Sequence, residues 1–103
     1  MSLTSKERAE LRAEAHHLRP LVHLGQGGVA ETVIASLDDA LRTHELVKVA
    51  LPRQGELAPR EVADNLAEQV GAEVVQVIGK TATLYRHNPD IQRKRGALPP
   101  WRA

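Results

Sequence analysis

The pattern of apolar and polar positions predicts three helices and four strands. Thr4 and Glu7 have the spacing of a capping box, and Leu11, Ala15 and Leu18 recur at helical intervals until Pro20. Short β-rich runs bounded by Gly or Pro predict the strands. In chain order, the predicted elements are a helix between Thr4 and Pro20, a strand at 21–24, a helix with apolar positions from Ala30 to Leu41, a strand at 45–51, a helix from Pro59 to Val70, and strands at 73–78 and 81–86.

Two glycines mark predicted turns. Gly71 follows the last apolar position of the third helix, as helix-terminating glycines do, and Gly79-Lys80 fits a two-residue type II′ hairpin turn. The order is therefore αβαβαββ, an α+β arrangement with α/β-type strand-helix-strand units. Such units imply right-handed crossovers. We expect a mixed four-stranded sheet packed by three helices, with an antiparallel final hairpin.

A glycine-rich loop, Gly25-Gln26-Gly27-Gly28, joins the first predicted strand to the second predicted helix. Glycines allow close approach of another molecule, and a helix start presents unpaired N–H groups and a positive dipole end. The junction is suited to a phosphate. The alternative is a tight turn without a ligand. The loop lacks the GK[ST] ending of a P-loop and the third glycine of a dinucleotide fold.

Composition narrows the class of protein. The chain has 103 residues, which fits one domain, and no cysteine, which excludes disulfides and thiol chemistry. No apolar run reaches the ~20 residues of a membrane span, and we expect a cytoplasmic protein. Adjacent His16 and His17 diverge on a helix and do not favour a metal site. No nucleophile or carboxylate constellation is recognisable, so we expect no enzyme, no cofactor and no small-molecule substrate.

The net charge of +1 conceals a segregation of charge along the chain. Residues 1–30 carry four basic and three acidic side chains, residues 31–73 four and nine, and residues 74–103 six and one. A basic terminal third favours a polyanionic partner. The alternatives are a solvating tail and an acidic centre, Glu31 to Glu73, that docks a basic protein.

Four segments carry a resemblance to a known family. They are AHHLRP at 15–20, GQGG at 25–28, HELVKV at 44–49, and VQVIGKT with LYR between 75 and 86. In this order and spacing they resemble the CRM (chloroplast RNA splicing and ribosome maturation) domain, and more narrowly the stand-alone bacterial YhbY-like proteins. The resemblance covers residues 3–87 and leaves 88–103 as a basic, Pro-containing C-terminal tail. It implies a fold related to the C-terminal domain of translation initiation factor three.

The resemblance also implies RNA binding, association with ribosomal RNA in precursor large (50S) subunits, and RNA contact through the GxxG loop, as in KH domains. We expect a monomer. Helix one is expected to carry a basic stripe toward the loop, although a solvated helix face is the alternative. Tyr85 is expected to be half-buried rather than to stack a base, and Arg93-Lys94-Arg95 to form an electrostatic arm. The predicted RNA-binding residues are Arg8, Arg12, His17, Arg19, His23, Gly25, Gln26, Gly27, Gly28, Lys80 and Arg86.

Overall fold

The computed structural model describes residues 3–25, 29–52, 57–91 and 99–102. Its elements have the predicted order and close to the predicted bounds. They are α1 (Ser5–Ala15), β1 (Pro20–His23), α2 (Glu31–His44), β2 (Leu46–Ala50), α3 (Pro59–Val70), β3 (Glu73–Ile78), β4 (Thr81–Tyr85) and a 3-10 turn (Pro100–Arg102). The α+β prediction of three helices and a four-stranded mixed sheet is confirmed.

The four strands lie in the order β1-β2-β4-β3. Strands β1 and β2 are parallel, whereas β4 pairs antiparallel with β2 on one side and with β3 on the other. The chain therefore crosses from β2 through α3 to the edge strand β3 and then returns as β4, which lies between β2 and β3. The last hairpin is antiparallel, as predicted.

The sheet has a different cover on each face. The main core lies between the sheet and the pair α2 and α3, where Leu37, Leu41, Val47, Leu66 and Leu84 are fully buried. On the opposite face, α1 and the 3-10 turn pack over a smaller core. That core contains Leu11, Leu46 and Val75, with Leu3, Leu18, Tyr85 and Trp101 around it.

Local signals in the sequence explain several element ends. The Thr4 hydroxyl accepts from the Glu7 N–H at 3.1 Å, and the Glu7 carboxylate accepts from the Thr4 N–H at 3.0 Å, which completes the capping box. Hydrogen bonding to the Glu7 carboxylate by Thr4, first from its backbone N–H and then from its side chain, lowers the pKa of the Glu7 carboxyl. Gly71 ends α3 at φ 66°, and Gly79 turns the hairpin at φ 55°.

The first helix is shorter than its apolar spacing suggests. It ends at Ala15, and His16, His17 and Leu18 donate to carbonyls three residues back, which makes a tight turn. Pro20 disfavours helical backbone at the residue before it, so the chain leaves the helix early and enters β1. Leu18 still packs on the smaller core from this turn.

Glu45 is the second local departure from prediction. We expected it in a strand, but it lies at φ 64° and ψ −43° between α2 and β2, which follow each other without a loop. That backbone region is strained for a residue with a side chain. The Glu45 side chain is fully buried, and its carboxylate accepts from the Asn88 N–H at 2.6 Å. The contact fixes the chain just after β4.

Part of the predicted tail packs on the domain. Trp101, in the 3-10 turn, meets Tyr85 edge-on with ring centroids 6.2 Å apart and an interplanar angle of 79°. Tyr85 is half-buried, as we expected. The predicted arm Arg93-Lys94-Arg95 lies outside the described residues. Within the described ranges, no helix has both the length and the apolar character that a membrane crossing requires.

Candidate nucleic-acid interface

At one end of the sheet, strands β1 and β2 end and the β3–β4 hairpin turns, and the glycine loop begins there. The Leu24 N–H donates to the Ala50 carbonyl at 2.9 Å, and the Leu51 N–H donates to the Lys80 carbonyl at 2.7 Å. These bonds place Gly25, the end of β2 and the β3–β4 hairpin side by side. We call this the loop edge. His23, the last residue of β1, and Lys80 are exposed there.

Gly25 has no evident structural reason to be glycine. An added Cβ would meet no atom of the described residues within 4 Å, and the φ of Gly25 is outside the left-handed region, unlike that of Gly71 and Gly79. A side chain there is therefore compatible with the fold. The space is open to solvent, and a ligand backbone could approach it closely. Gln26, Gly27 and Gly28, which complete the predicted loop, lie outside the described residues.

The basic side chains divide into two groups by their partners. Arg42, Arg60 and Arg86 form ion pairs with carboxylates at 2.7–3.3 Å, and Arg8 lies 4.0 Å from Glu73. In the described part of the chain, the second group has no carboxylate within 4.0 Å. It comprises Lys6, Arg12, Arg19, Lys48 and Lys80. Cations without internal partners remain available to an anionic ligand.

Arg86 belongs to the first group, although it was predicted to contact RNA. Its Nη1 donates to Asp38 Oδ1 at 2.7 Å and to the Val70 carbonyl at 2.8 Å, and its Nη2 donates to the Asp38 carbonyl at 3.1 Å. The bond from Arg86 holds the pKa of the Asp38 carboxyl below its ordinary value. Arg86 thus fastens the end of β4 to α2 and α3, at the sheet end opposite the loop edge.

The predicted basic stripe along one helix does not form. Arg19 lies four residues beyond the end of α1, so it shares no helical face with Arg8 and Arg12. Arg8 reaches the edge strand β3, where its Nη1 donates to the Val74 carbonyl. Arg12 stays exposed on α1. The assumption that helix one continues to Pro20 was wrong, because Pro20 ends it early.

A cleft lies at the other end of β1, between the turn after α1, β2 and the C-terminal 3-10 turn. It brings together two predicted residues, His17 and Arg19, with three that we did not predict, Lys48, His44 and Trp101. Pro20 pairs with Lys48 across β1 and β2, which places Arg19 beside that lysine. The alternation of Lys48 with Val47 and Val49 in the sequence indicates its face of the sheet, whereas no sequence signal places Trp101 here.

The helices on the opposite side of the sheet, α2 and α3, carry acidic side chains that are partly paired within the chain. Asp38, Asp39 and Asp64 on α2 and α3 have Arg42, Arg60 or Arg86 as partners. Strands β1, β2 and β4 contain no acidic residue. The sheet face on the α1 side is therefore free of carboxylates along these three strands. Among the described residues, no cluster of three His, Asp or Glu side chains could hold a metal ion.

Comparisons with known proteins give consistent matches. The model of the CRS1 / YhbY (CRM) domain matches residues 3–86. A Pseudomonas aeruginosa protein is 38% identical over 89 residues, covering 86% of each chain, and a Bacillus subtilis protein is 36% identical over 88 residues, covering 85% of this chain and 92% of the other. Both are named as probable RNA-binding proteins.

A solved structure matches the whole fold. It is the solution structure of a hypothetical protein of Staphylococcus aureus, described as a candidate RNA-binding protein. The TM-score is 0.76 at 36% sequence identity, and the match covers 95% of this chain and 100% of the other.

Proposed function

Because the chain belongs to the CRS1/YhbY (CRM) domain family, we propose that it binds RNA, and specifically ribosomal RNA in precursors of the large ribosomal subunit. Its relatives are named as RNA-binding proteins. The resemblance seen in the sequence supports the ribosomal assignment. The protein binds as a non-enzymatic cytoplasmic monomer and assists subunit maturation.

The loop edge is the structural observation that carries the proposal. Gly25 opens to solvent near His23, with Lys80 across the end of β2, and neither its backbone nor the described residues around it require a glycine. In KH domains a GxxG loop clamps the nucleotide backbone, since glycines permit its close approach. Lys80 and His23 then add charge or hydrogen bonds to neighbouring phosphates. The contacts are to the RNA backbone, which gives affinity and orientation more than sequence preference.

The acidic centre is a weaker candidate for the functional surface. The docking alternative requires carboxylates free to meet a basic protein. Arg42, Arg60 and Arg86 already neutralise Asp38, Asp39 and Asp64, and Glu45 is buried. In the described chain, the exposed carboxylates of this segment that have no ion pair are Glu31, Glu61 and Glu68. The exposed cations on the α1 side have no such partners. Together with the relatives that are named as RNA-binding proteins, these cations favour RNA over a basic protein as the partner.

Binding to fragments of large-subunit ribosomal RNA across a salt series tests the proposal. Each phosphate that the protein neutralises steepens the slope of log affinity against log salt by about 0.7 for single strands and about 0.9 for duplexes. We expect Gly27→Asp combined with Gly28→Asp to abolish most binding. The matched control adds the same charge on the α2 and α3 surface, at exposed Ala35 and Gln69, and should bind nearly as well as the wild type.

The ribosomal part has a separate test. In cell extracts, the tagged protein should sediment with particles that are smaller than the mature 50S subunit and contain large-subunit ribosomal RNA. Sedimentation with small-subunit RNA would remove the large-subunit assignment but keep RNA binding. Failure to bind any ribosomal RNA fragment would overturn the proposed function.

A further inference from the structure

The cleft at the start of β1 is not explained by the glycine loop. We call it the cationic cleft, and its walls are formed by His17, Arg19, Leu21, His44, Lys48 and Trp101. It lies one strand length from the loop edge, on the α1 side of the sheet. Its aromatic wall, Trp101, follows the stretch matched by the family model, which ends at residue 86.

The charges of this cleft favour an anion. Arg19 and Lys48 have no carboxylate within 4.0 Å among the described residues, and the strands beneath them carry no acidic side chain. Two imidazoles, His17 and His44, line the same walls. On its other side, Trp101 borders a groove lined by Glu7, Glu10 and Glu14, which repels a phosphate. The indole therefore separates a cationic space from an acidic one.

Trp101 gives the cleft an apolar, aromatic wall. Its ring is half-buried and meets Tyr85 edge-on, so the indole is held in place and part of its surface stays accessible. Its Nε1–H is buried and has no acceptor among the described residues. A buried donor without an acceptor is costly.

We propose that the cationic cleft is a nucleotide subsite for single-stranded RNA, in which Arg19 and Lys48 bind a phosphate and one nucleobase packs against Trp101. Aromatic rings accept any base by stacking, and cations beside them track the backbone. The inference rests on the proposed function and extends it. The RNA strand held at the glycine loop runs along β1 to the cleft. The protein therefore binds the RNA at two separate places on one face.

Trp101 is the single tryptophan of the chain, so its fluorescence reports on the cleft directly. The probe is a single-stranded oligoribonucleotide of about eight nucleotides, within the site sizes of comparable binding grooves. We expect saturable quenching of the indole emission that follows the binding curve. Adenosine monophosphate is titrated in parallel. Quenching by it at equal concentrations would assign the cleft to a free nucleotide and overturn the RNA proposal.

Variants separate binding from packing. Arg19→Gln combined with Lys48→Gln removes both charges from the one phosphate and should lower the salt slope by about 0.7. Arg60→Gln is the matched control, because Arg60 is exposed on α3 and paired with Asp64 at 3.3 Å. Trp101→Leu should weaken binding about fivefold or more, the lower range of one base stack. Trp101→Phe keeps a ring and should recover part of the affinity, which a purely structural role would not require.

The outcomes distinguish this inference from the proposed function. Trp101→Leu that lowers thermal stability but leaves RNA affinity unchanged would show a packing residue and overturn the inference. Unchanged emission on RNA binding would do the same. In both cases the loss of binding on adding the two aspartates to the glycine loop would still support the proposed function. If the wild type binds no RNA, both fail together.

Discussion

Exchanging Arg86 and Lys80 for glutamine, one at a time, should produce opposite effects, although sequence reasoning placed both in the RNA site. Arg86 makes three hydrogen bonds within the chain, and its side chain is only 22% exposed. Charged hydrogen bonds contribute about 1.5–3 kcal/mol each when well shielded. Asp38 is 39% exposed, which reduces their worth. We expect Arg86→Gln to cost about 2 kcal/mol in total.

Thermal unfolding measures that cost. For a domain of this size, about 2 kcal/mol corresponds to a fall in Tm of about 8–16 °C. RNA affinity measured well below the Tm should retain the salt slope of the wild type. Lys80→Gln changes an exposed hairpin residue without an ion-pair partner in the described chain, so its stability should stay within about 0.5 kcal/mol of the wild type. Its salt slope should fall by about 0.7–0.9.

The pair of variants can refute the assignment. If Arg86→Gln lowers the salt slope as Lys80→Gln does, the Arg86 guanidinium contacts phosphate despite its bonds to Asp38. If Arg86→Gln leaves the Tm unchanged, those bonds contribute nothing to stability. The structural role argued for Arg86 would then be wrong.

Three further predictions concern pH, glycine and capping. Arg86 lowers the pKa of the Asp38 carboxyl from its ordinary value of 3.8. The ionised carboxylate therefore contributes its full stability above pH 3.8, and this contribution is lost as the pH falls through the lowered pKa. Between about pH 5 and pH 2, the unfolding free energy measured in urea should fall more steeply for the wild type than for Arg86→Gln. Gly25→Ala should keep the fold and weaken RNA binding, whereas the control Gly71→Ala, at φ 66°, should lose about 1 kcal/mol of stability by urea unfolding. Thr4→Ala should lower the unfolding free energy by about 1 kcal/mol and leave RNA affinity unchanged.

The sequence predicts helix caps and turns correctly where the contacts that form them span only a few residues. The capping box at Thr4, the left-handed glycine at 71 and the hairpin glycine at 79 each involve neighbours in the chain, and all three are confirmed. Glu45 shows the limit. Its β-rich surroundings predict a strand, but the absence of a loop between α2 and β2 forces a positive φ that no local pattern indicates.

Long-range partners decided which site residues the sequence could identify. A basic residue near the end of a strand suggests a phosphate contact, but Arg86 finds Asp38 and Val70 through the packing of α2 and α3. Arg8 finds Val74 in the same way. The return of Trp101 to Tyr85 joins the C-terminal end to the sheet. These contacts depend on tertiary distance, which periodicity and spacing do not contain.

The direct join at Glu45 also constrains how the glycine loop can vary. The loop runs from β1 to α2, β2 follows α2 without spare residues, and β2 pairs with β1. The two ends of the loop, Gly25 and Val29, are therefore held by elements that pack on one another in the main core. A loop of equal length from a relative should transplant as a cassette, and an added residue could bulge into solvent, whereas a deleted residue would pull β1 and α2 together.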